Sequence, residues 1–328
     1  MPTTIYDVAR RAEVSAATVS RVLNGNPNVD PDMVARVLKA IRELGYRPNA
    51  VARNLRRSRT TLWAVIVSDV GNPFFTTLVR GVEDVAQQAG FSVVLCNTDE
   101  NPAKEETYVA AALSQQMAGV IISTSGSTKA AKSLAGSPTP VVAIDRELAG
   151  AGVDMVVVDN AGGAEAATRH LAAAGFARIA CITGPAGVST AEQRLAGYLA
   201  GVKATGREPI VLRSTFREQG GFDAMSALLD APDRPDAVFV ANNLMAVGAM
   251  RCLVRRRIAV PEEMGLVGFD ELPWADLIRP SLTTVGQPAY ELGRTAARLL
   301  ADRIQSPASE PARIVLPTQL NVRQSSTR

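Results

Sequence analysis

The chain has 328 residues, 47% of them hydrophobic and 20% charged, which is enough for two or three packed cores. No apolar run reaches the roughly 18 residues that a membrane span needs, and MPTTIYDVARRAEVS at the N-terminus carries charges where a signal peptide has its apolar stretch, so a membrane partner is excluded and a cytoplasmic protein is expected. The net charge of +3 is unevenly spread: residues 1–60 hold 11 Lys/Arg against 5 Asp/Glu, leaving 24 against 27 for the remainder, the asymmetry of a small nucleic-acid module joined to a larger domain.

In chain order, TIYDVARRA places Ile5, Val8, Ala9 and Ala12 on one helical stripe, and VSAATVSRVLNG places Val19, Val22 and Leu23 on a second. AEVS between them reads as a turn, with Ser15 as the cap of the second helix. A third helix is predicted from Asp30 as cap and Pro31 at the first helical position, ending at Gly45, with Val34, Leu38, Ile41 and Leu44 inward. Three helices in about 45 residues make a helix-turn-helix unit. With Val19, Val22 and Leu23 in the core, Ala16, Ala17, Ser20 and Arg21 face out. Small residues let a helix lie deep in a major groove, and an arginine donates two hydrogen bonds to guanine, so Arg21 is the expected base reader; a phosphate contact is the other reading.

From residue 62 apolar runs of strand length alternate with helical segments. The expected strands are LWAVIVSDV, FSVVLCNT, AGVIIS, PVVAID, MVVVDN, RIACITG, PIVLRS, AVFVAN and GLVGFD, with helices such as TTLVRGVEDVAQQAG and GGFDAMSALLDA between them. The fold class is therefore α/β. So many strands predict two doubly wound parallel-sheet lobes, with a ligand cleft at the strand C-termini.

Catalytic signals are missing from this part. His170, the one histidine, lies on an alanine-rich helix with no nucleophile near it in sequence and reads as structural. There is no nucleotide-binding glycine pattern, SGSTKAAK (125–132) reads as a surface loop, and no metal-ligand cluster or cofactor is expected. Cys96, Cys181 and Cys252 are far apart and read as small buried hydrophobes. The strand ends instead offer Asn72, Phe74 and Phe75, then Asp145 and Arg146; the second half offers Arg194, Phe216, Asn242, Asp270 and Gln287. Carboxylates, amides and arginines answer hydroxyl groups while phenyl rings cover C–H faces, and the balance of Asp145 and Asp270 against Arg146 and Arg194 favours a neutral polyol ring over a phosphorylated one.

TIYDVARRAEVSAATVSRVLNG followed by IRELGYRPNAVARNLRR resembles the LacI family of bacterial transcription repressors, without gaps, and the likeness continues to the C-terminus. The resemblance implies a helix-turn-helix head over 1–46 and a hinge helix and linker over 47–60. It implies a periplasmic-binding-protein-like effector domain with one subdomain of 61–160 plus 289–318 and another of 161–288 plus 319–328. Ala16, Ala17 and Arg21 match operator-reading positions; Tyr6, Ser15, Thr18, Asn24, Asn49 and Ala52 join the implied DNA set. Leu55 matches the hinge residue that wedges into the minor groove, with Arg53, Arg56, Arg57 and Arg59 near phosphates.

The ten strand-end residues are similar to the ribose contacts of ribose-binding proteins, and LVRGVE, VVLCNT, RIACITGP and GGFDAM are similar to the ribose repressor branch. DENPAKEE (99–106) shares that likeness but carries no ligand group in this reading. Two positions depart. Asn243 stands where many relatives have Asp, and Val188 where purine-binding members have Arg, which counts against a nucleobase. The resemblance implies a homodimer on a palindromic operator, controlled by a sugar effector, most simply ribose. Another pentose, a hexose or a purine stays open, as do inducer against corepressor and, in a different class, a sugar-binding transport protein. LNVRQSSTR has no leucine heptads, so nothing beyond a dimer is expected.

Overall fold

A computed structural model describes residues 3–23, 26–46, 60–148, 150–307 and 310–328. It divides into two compact units, Met1–Thr60 and Thr61–Arg328. The first contains α1 (Ile5–Ala12), α2 (Ala16–Leu23) and α3 (Pro31–Leu44). Each starts where a side chain satisfies first-turn amides that have no partner within the helix. Thr4 and Asp7 cap one another's backbone at α1, the Thr18 amide donates to Ser15 Oγ at 3.1 Å at α2, and Asp30 accepts from the Asp32 and Met33 amides at α3. Val8, Ala9, Ala12, Val19, Val37 and Ala40 form the core. Leu38 was expected inward and is 42% exposed. The buried stripe of α3 runs through Val37, Ala40, Ile41 and Leu44, the i, i+3, i+4, i+7 spacing of a packed face, and passes Leu38 by.

The second unit begins with β1 (Leu62–Val67), α4 (Pro73–Gln88), β2 (Ser92–Asn97), α5 (Pro102–Ser114), β3 (Gly119–Ile122), α6 (Thr128–Ala135), β4 (Val141–Ile144) and β5 (Asp154–Val158). It continues with α7 (Asn160–Ala173), β6 (Ile179–Thr183), α8 (Ser189–Ala204), β7 (Ile210–Arg213), α9 (Glu218–Asp230), β8 (Ala237–Val240), α10 (Asn243–Arg256), β9 (Gly265–Phe269) and β10 (Thr283–Gly286). Helix α11 (Ala289–Gln305), β11 (Arg313–Leu316), β12 (Gln319–Asn321) and a 3₁₀ turn, Gln324–Ser326, complete it.

The strands build two six-stranded sheets, β11-β5-β4-β3-β1-β2 and β12-β10-β9-β8-β6-β7, parallel throughout except for the β10–β12 pair. Each sheet is the spine of one lobe. Strands β1, β3 and β4 in one sheet and β6, β8 and β9 in the other are almost wholly buried, which is why they read as unbroken apolar runs rather than alternating ones. The chain passes between sheets after β5, after β10 and again between β11 and β12, so α11 and β11 return to the first lobe from beyond the second.

Nine strands were expected, and TTVG, RIVL and QLN are three more that were not named as strands. They are only three or four residues long and two of them are sheet-edge strands, so local pattern carries little signal for them. The expected surface loop at SGSTKAAK is also corrected. Ser127 Oγ accepts from the Ala130 amide at 3.1 Å and starts α6, with Ala130 and Leu134 buried.

His170 Nε2 lies 2.7 Å from Ser326 Oγ, a serine 156 residues away that sequence reasoning could not place beside it. Ser326 is fully buried and shares its hydroxyl with Thr283 Oγ1 at 2.7 Å, and burial holds His170 below the ordinary histidine range, so this pair packs the C-terminal turn against β10. Burial likewise pushes all three free cysteine thiols up. Among the described residues no helix is long and apolar enough to cross a membrane.

Candidate functional site

In the first unit, α2 presents Ala17 and Arg21 to solvent, with Ser15 exposed at its start. Thr18 is half-buried, its Oγ1 2.9 Å from Ser15 Oγ. Ala16, expected to face out, is half-buried and packs partly on the head core, because the first turn of α2 starts against α1. Tyr6 is 69% exposed, a large aromatic that the head core does not use. Asn24, Asn49, Ala52, Arg53, Leu55 and Arg56, and with them the expected hinge helix, lie outside the described residues.

In the second unit one cavity at the strand C-termini is lined by Asn72, Phe74, Phe75, Asp145, Arg146, Arg194, Phe216, Asn242 and Asp270, nine of the ten strand-end side chains. The tenth, Gln287, is joined to it, its Nε2 donating to Asp270 Oδ1. From the first lobe, Asn72 caps α4, its Oδ1 accepting from the Phe74 amide at 3.0 Å, which fixes Phe74 and Phe75 edge to face at 5.0 Å. Asp145 follows β4 with a left-handed φ of 64°, and Ser123 Oγ donates to its Oδ2 at 3.2 Å.

From the second lobe, Asn242 caps α10, accepting from the Met245 amide at 2.7 Å. Phe216 follows β7, and its ring fits because residue 184 is glycine: a Cβ there would lie 2.2 Å from the ring. Arg194 rises from α8, with Nε donating to Asn160 Oδ1 at 2.8 Å and Nη1 to the Ala241 carbonyl at 2.7 Å. Its guanidinium stands 3.8 Å from the Phe269 ring centre and 3.8 Å from Asp270 Oδ2.

These groups are almost completely buried, and burial dominates their electrostatics. It pushes the Asp145 and Asp270 carboxyls above the usual carboxylate range, opposed by Arg146 and Arg194 at Asp145 and by Arg194 and Gln287 at Asp270; it pulls the Arg194 guanidinium down. Hydrogen-bonding charges of both signs around phenyl rings suit a ligand rich in hydroxyls and poor in net charge.

Three further residues line the cavity that sequence reasoning did not single out: Asp69, Glu100 and Thr190. Glu100 brings DENPAKEE to the cavity wall, where it is paired with a site residue. Its carboxylate takes Arg146 Nη1 and Nη2 at 2.7 Å each, while Nη1 also donates to the Thr124 carbonyl at 3.1 Å. Arg146 is held this way 5.5 Å from the Phe216 ring centre, and with it in place the free volume of the cavity is ≈ 30 Å³. Asn243, one of the two departures, is fully buried, and its Nδ2 donates across the cleft to Asn72 Oδ1 at 2.9 Å. Among the described residues no cluster of His, Cys, Asp and Glu is arranged to hold a metal.

Residues 4–49 match the model of bacterial regulatory proteins of the lacI family, and residues 168–326 match a periplasmic binding protein-like domain. The ribose operon repressor of Halalkalibacterium halodurans is 39% identical over 324 residues, covering 99% of this chain and 97% of that one. Among solved structures, the lac repressor dimer bound to operator and the anti-inducer ONPF superposes with a TM-score of 0.89 at 29% identity, covering 100% of both chains. A LacI family transcriptional regulator from Enterococcus faecium with bound ribose superposes at 0.74 with 32% identity, covering 81% of this chain and 98% of that one. With the head and the two-sheet domain both matched, and the likeness to a repressor running through nearly the whole of each chain, this protein belongs to the LacI family of transcription repressors and is not an enzyme.

Proposed function

We propose that the protein is a cytoplasmic homodimer that represses transcription from a palindromic operator and is released by D-ribose bound in the cavity between its lobes. The observation that carries the ligand assignment is the convergence of Asn72, Phe74, Asp145, Arg146, Phe216 and Asp270, six side chains from both lobes, on one cavity. The ribose-bound regulator from Enterococcus faecium and the ribose operon repressor of Halalkalibacterium halodurans support the same choice. In this reading 1–46 reads DNA, 47–60 is the hinge, 61–160 with 289–318 forms one subdomain, and 161–288 with 319–328 the other. Ribose acts as inducer only through its differential affinity for the two states, and a coupling of about 1–3 kcal/mol would be ordinary.

Titration calorimetry with D-ribose, with xylose, galactose and hypoxanthine as controls, tests the ligand. Saturable heat with ribose alone is expected; heat with another control and none with ribose would move the assignment to that ligand. For the head, Arg21→Ala is expected to cost about 1–3 kcal/mol of operator affinity and to relax the preference at one base pair of each half-site. Equal weakening on all sequences, measured by anisotropy on a set of single-substitution operators, would make Arg21 a phosphate contact instead.

A further inference from the structure

Asp99 and Glu100, directly after β2, both have φ of 58°, two successive non-glycine residues in the sparsely populated left-handed region. The Glu100 amide donates to the Ser68 carbonyl at 2.9 Å, and Asn101 caps α5, so both sides of the turn are pinned. The conformation directs two adjacent carboxylates to two arginines on either side of the cleft. Glu100 holds Arg146 within the first lobe. Asp99 reaches Arg217 of the second lobe, whose Nη2 donates to Asp99 Oδ1 at 2.6 Å and to the Asp99 carbonyl at 3.1 Å. The other end of the same guanidinium, Nη1, donates to Asp69 Oδ2 at 2.6 Å.

Arg217 thus joins the ends of β1 and β2 to the start of α9, immediately after Phe216. It does not line the cavity, whereas Asp69, Glu100 and Phe216 do. Lys104 also faces Asp99, at 3.7 Å from Oδ2. Other hydrogen bonds across the cleft among the described residues are neutral at one end or both, as in Asn243 to Asn72, Gln193 Nε2 to Glu147 Oε1 at 3.0 Å and the Glu147 amide to Ser189 Oγ at 3.1 Å, while Arg194 acts on Asp145 through its charge without a hydrogen bond.

Resting on the sugar-cleft reading above, we propose that Asp69, Arg217 and Asp99 form a charged clasp between the lobes, with Arg217 a positioning residue that sets sugar affinity without touching the sugar. A ligand held by closure binds with an apparent affinity scaled by the population of the closed form. Weakening the clasp lowers that population and leaves the choice among sugars unchanged. Arg217 and Asp99 are 38% and 49% exposed, so salt screens the clasp. The affinity for an uncharged sugar then acquires a salt dependence that contacts to the sugar itself would not produce.

The test compares the full-length protein with Arg217→Ala, Arg217→Lys and Asp99→Asn by calorimetry with D-ribose at low and high salt, and by operator binding without sugar. A nitroxide pair at Gln88→Cys and Lys203→Cys, one on each lobe in a Cys96→Ser background, reports lobe separation without ligand. Arg217→Ala is expected to raise the ribose Kd about three- to ten-fold, the effect of one exposed and one partly buried ion pair of good geometry. It should also abolish the salt dependence seen in the parent and lengthen or broaden the interlobe distance, with Arg217→Lys between. Unchanged ribose Kd at both salt concentrations, or an unchanged interlobe distance in Arg217→Ala, overturns the clasp. If the parent gives no ribose heat while the distance lengthens in Arg217→Ala, the clasp stands and the ribose assignment fails.

Discussion

Asp270→Ala is expected to abolish the ribose response while leaving operator binding intact. Asp270 follows β9 in a left-handed conformation, 4% exposed, with its carboxylate between Arg194 and Gln287. Removing it strips the cavity of an acceptor for sugar hydroxyls and leaves Arg194 buried without its carboxylate, held by Asn160 and the Ala241 carbonyl. Losing a hydrogen bond from a sugar hydroxyl to a charged carboxylate costs about 1.5–3 kcal/mol, so ribose affinity should fall by a factor on the order of 10 to 10². Breaking the buried ion pair with Arg194 from one side separately costs about 3–5 kcal/mol of stability. Asp270→Asn, which keeps the shape, separates the two effects: calorimetry should still show loss of ribose binding, with a smaller drop in melting temperature. Anisotropy on operator DNA should match the parent. Loss of DNA binding in both variants would make Asp270 a residue of the fold rather than of the site.

Gly293→Ala should destabilise the first lobe by about 3 kcal/mol, the upper end of overpacking costs, because the obstacle is backbone. A Cβ at Gly293 on α11 would lie 2.0 Å from the Leu78 carbonyl oxygen of α4, and one at Gly81 on α4 would lie 2.2 Å from the Tyr290 carbonyl oxygen of α11. The two helices cross glycine to glycine, and a methyl group on either pushes them apart. The melting temperature should fall by roughly 6–12 °C for a domain of this size, followed by circular dichroism. Gly136→Ala, where the nearest atom would be an ordinary 3.4 Å away, is the control and should melt with the parent. Equal melting of Gly293→Ala and the parent would mean that the crossing is looser than its geometry.

The contrast between these two residues explains what could be read early. Asp270 was visible because it ends a strand-length apolar run, and the ends of such runs are where an α/β fold gathers ligand groups. Gly293 was not, because its partner Gly81 is 212 residues away and neither lies in a turn that would mark it. Arg217 was passed over for a related reason. TFREQGGF drew attention to Phe216, and only the folded chain shows its neighbour reaching Asp69 and Asp99 in the other lobe.

Periodicity and caps in the sequence alone determined the three head helices, because capping side chains and amphipathic stripes act within one or two turns. The buried strands were legible for a similar reason: burial on both faces demands uninterrupted apolar runs. The rotation of α3 was not determined. Val37 and Leu38 are adjacent and both apolar, and packing in the head core buries Val37 and leaves Leu38 in solvent. Tertiary structure alone decided that Glu100 occupies Arg146, that His170 meets Ser326, and that Arg217 spans the cleft. Each of these depends on groups 46 or more residues apart meeting at one point, and no local pattern encodes such a meeting.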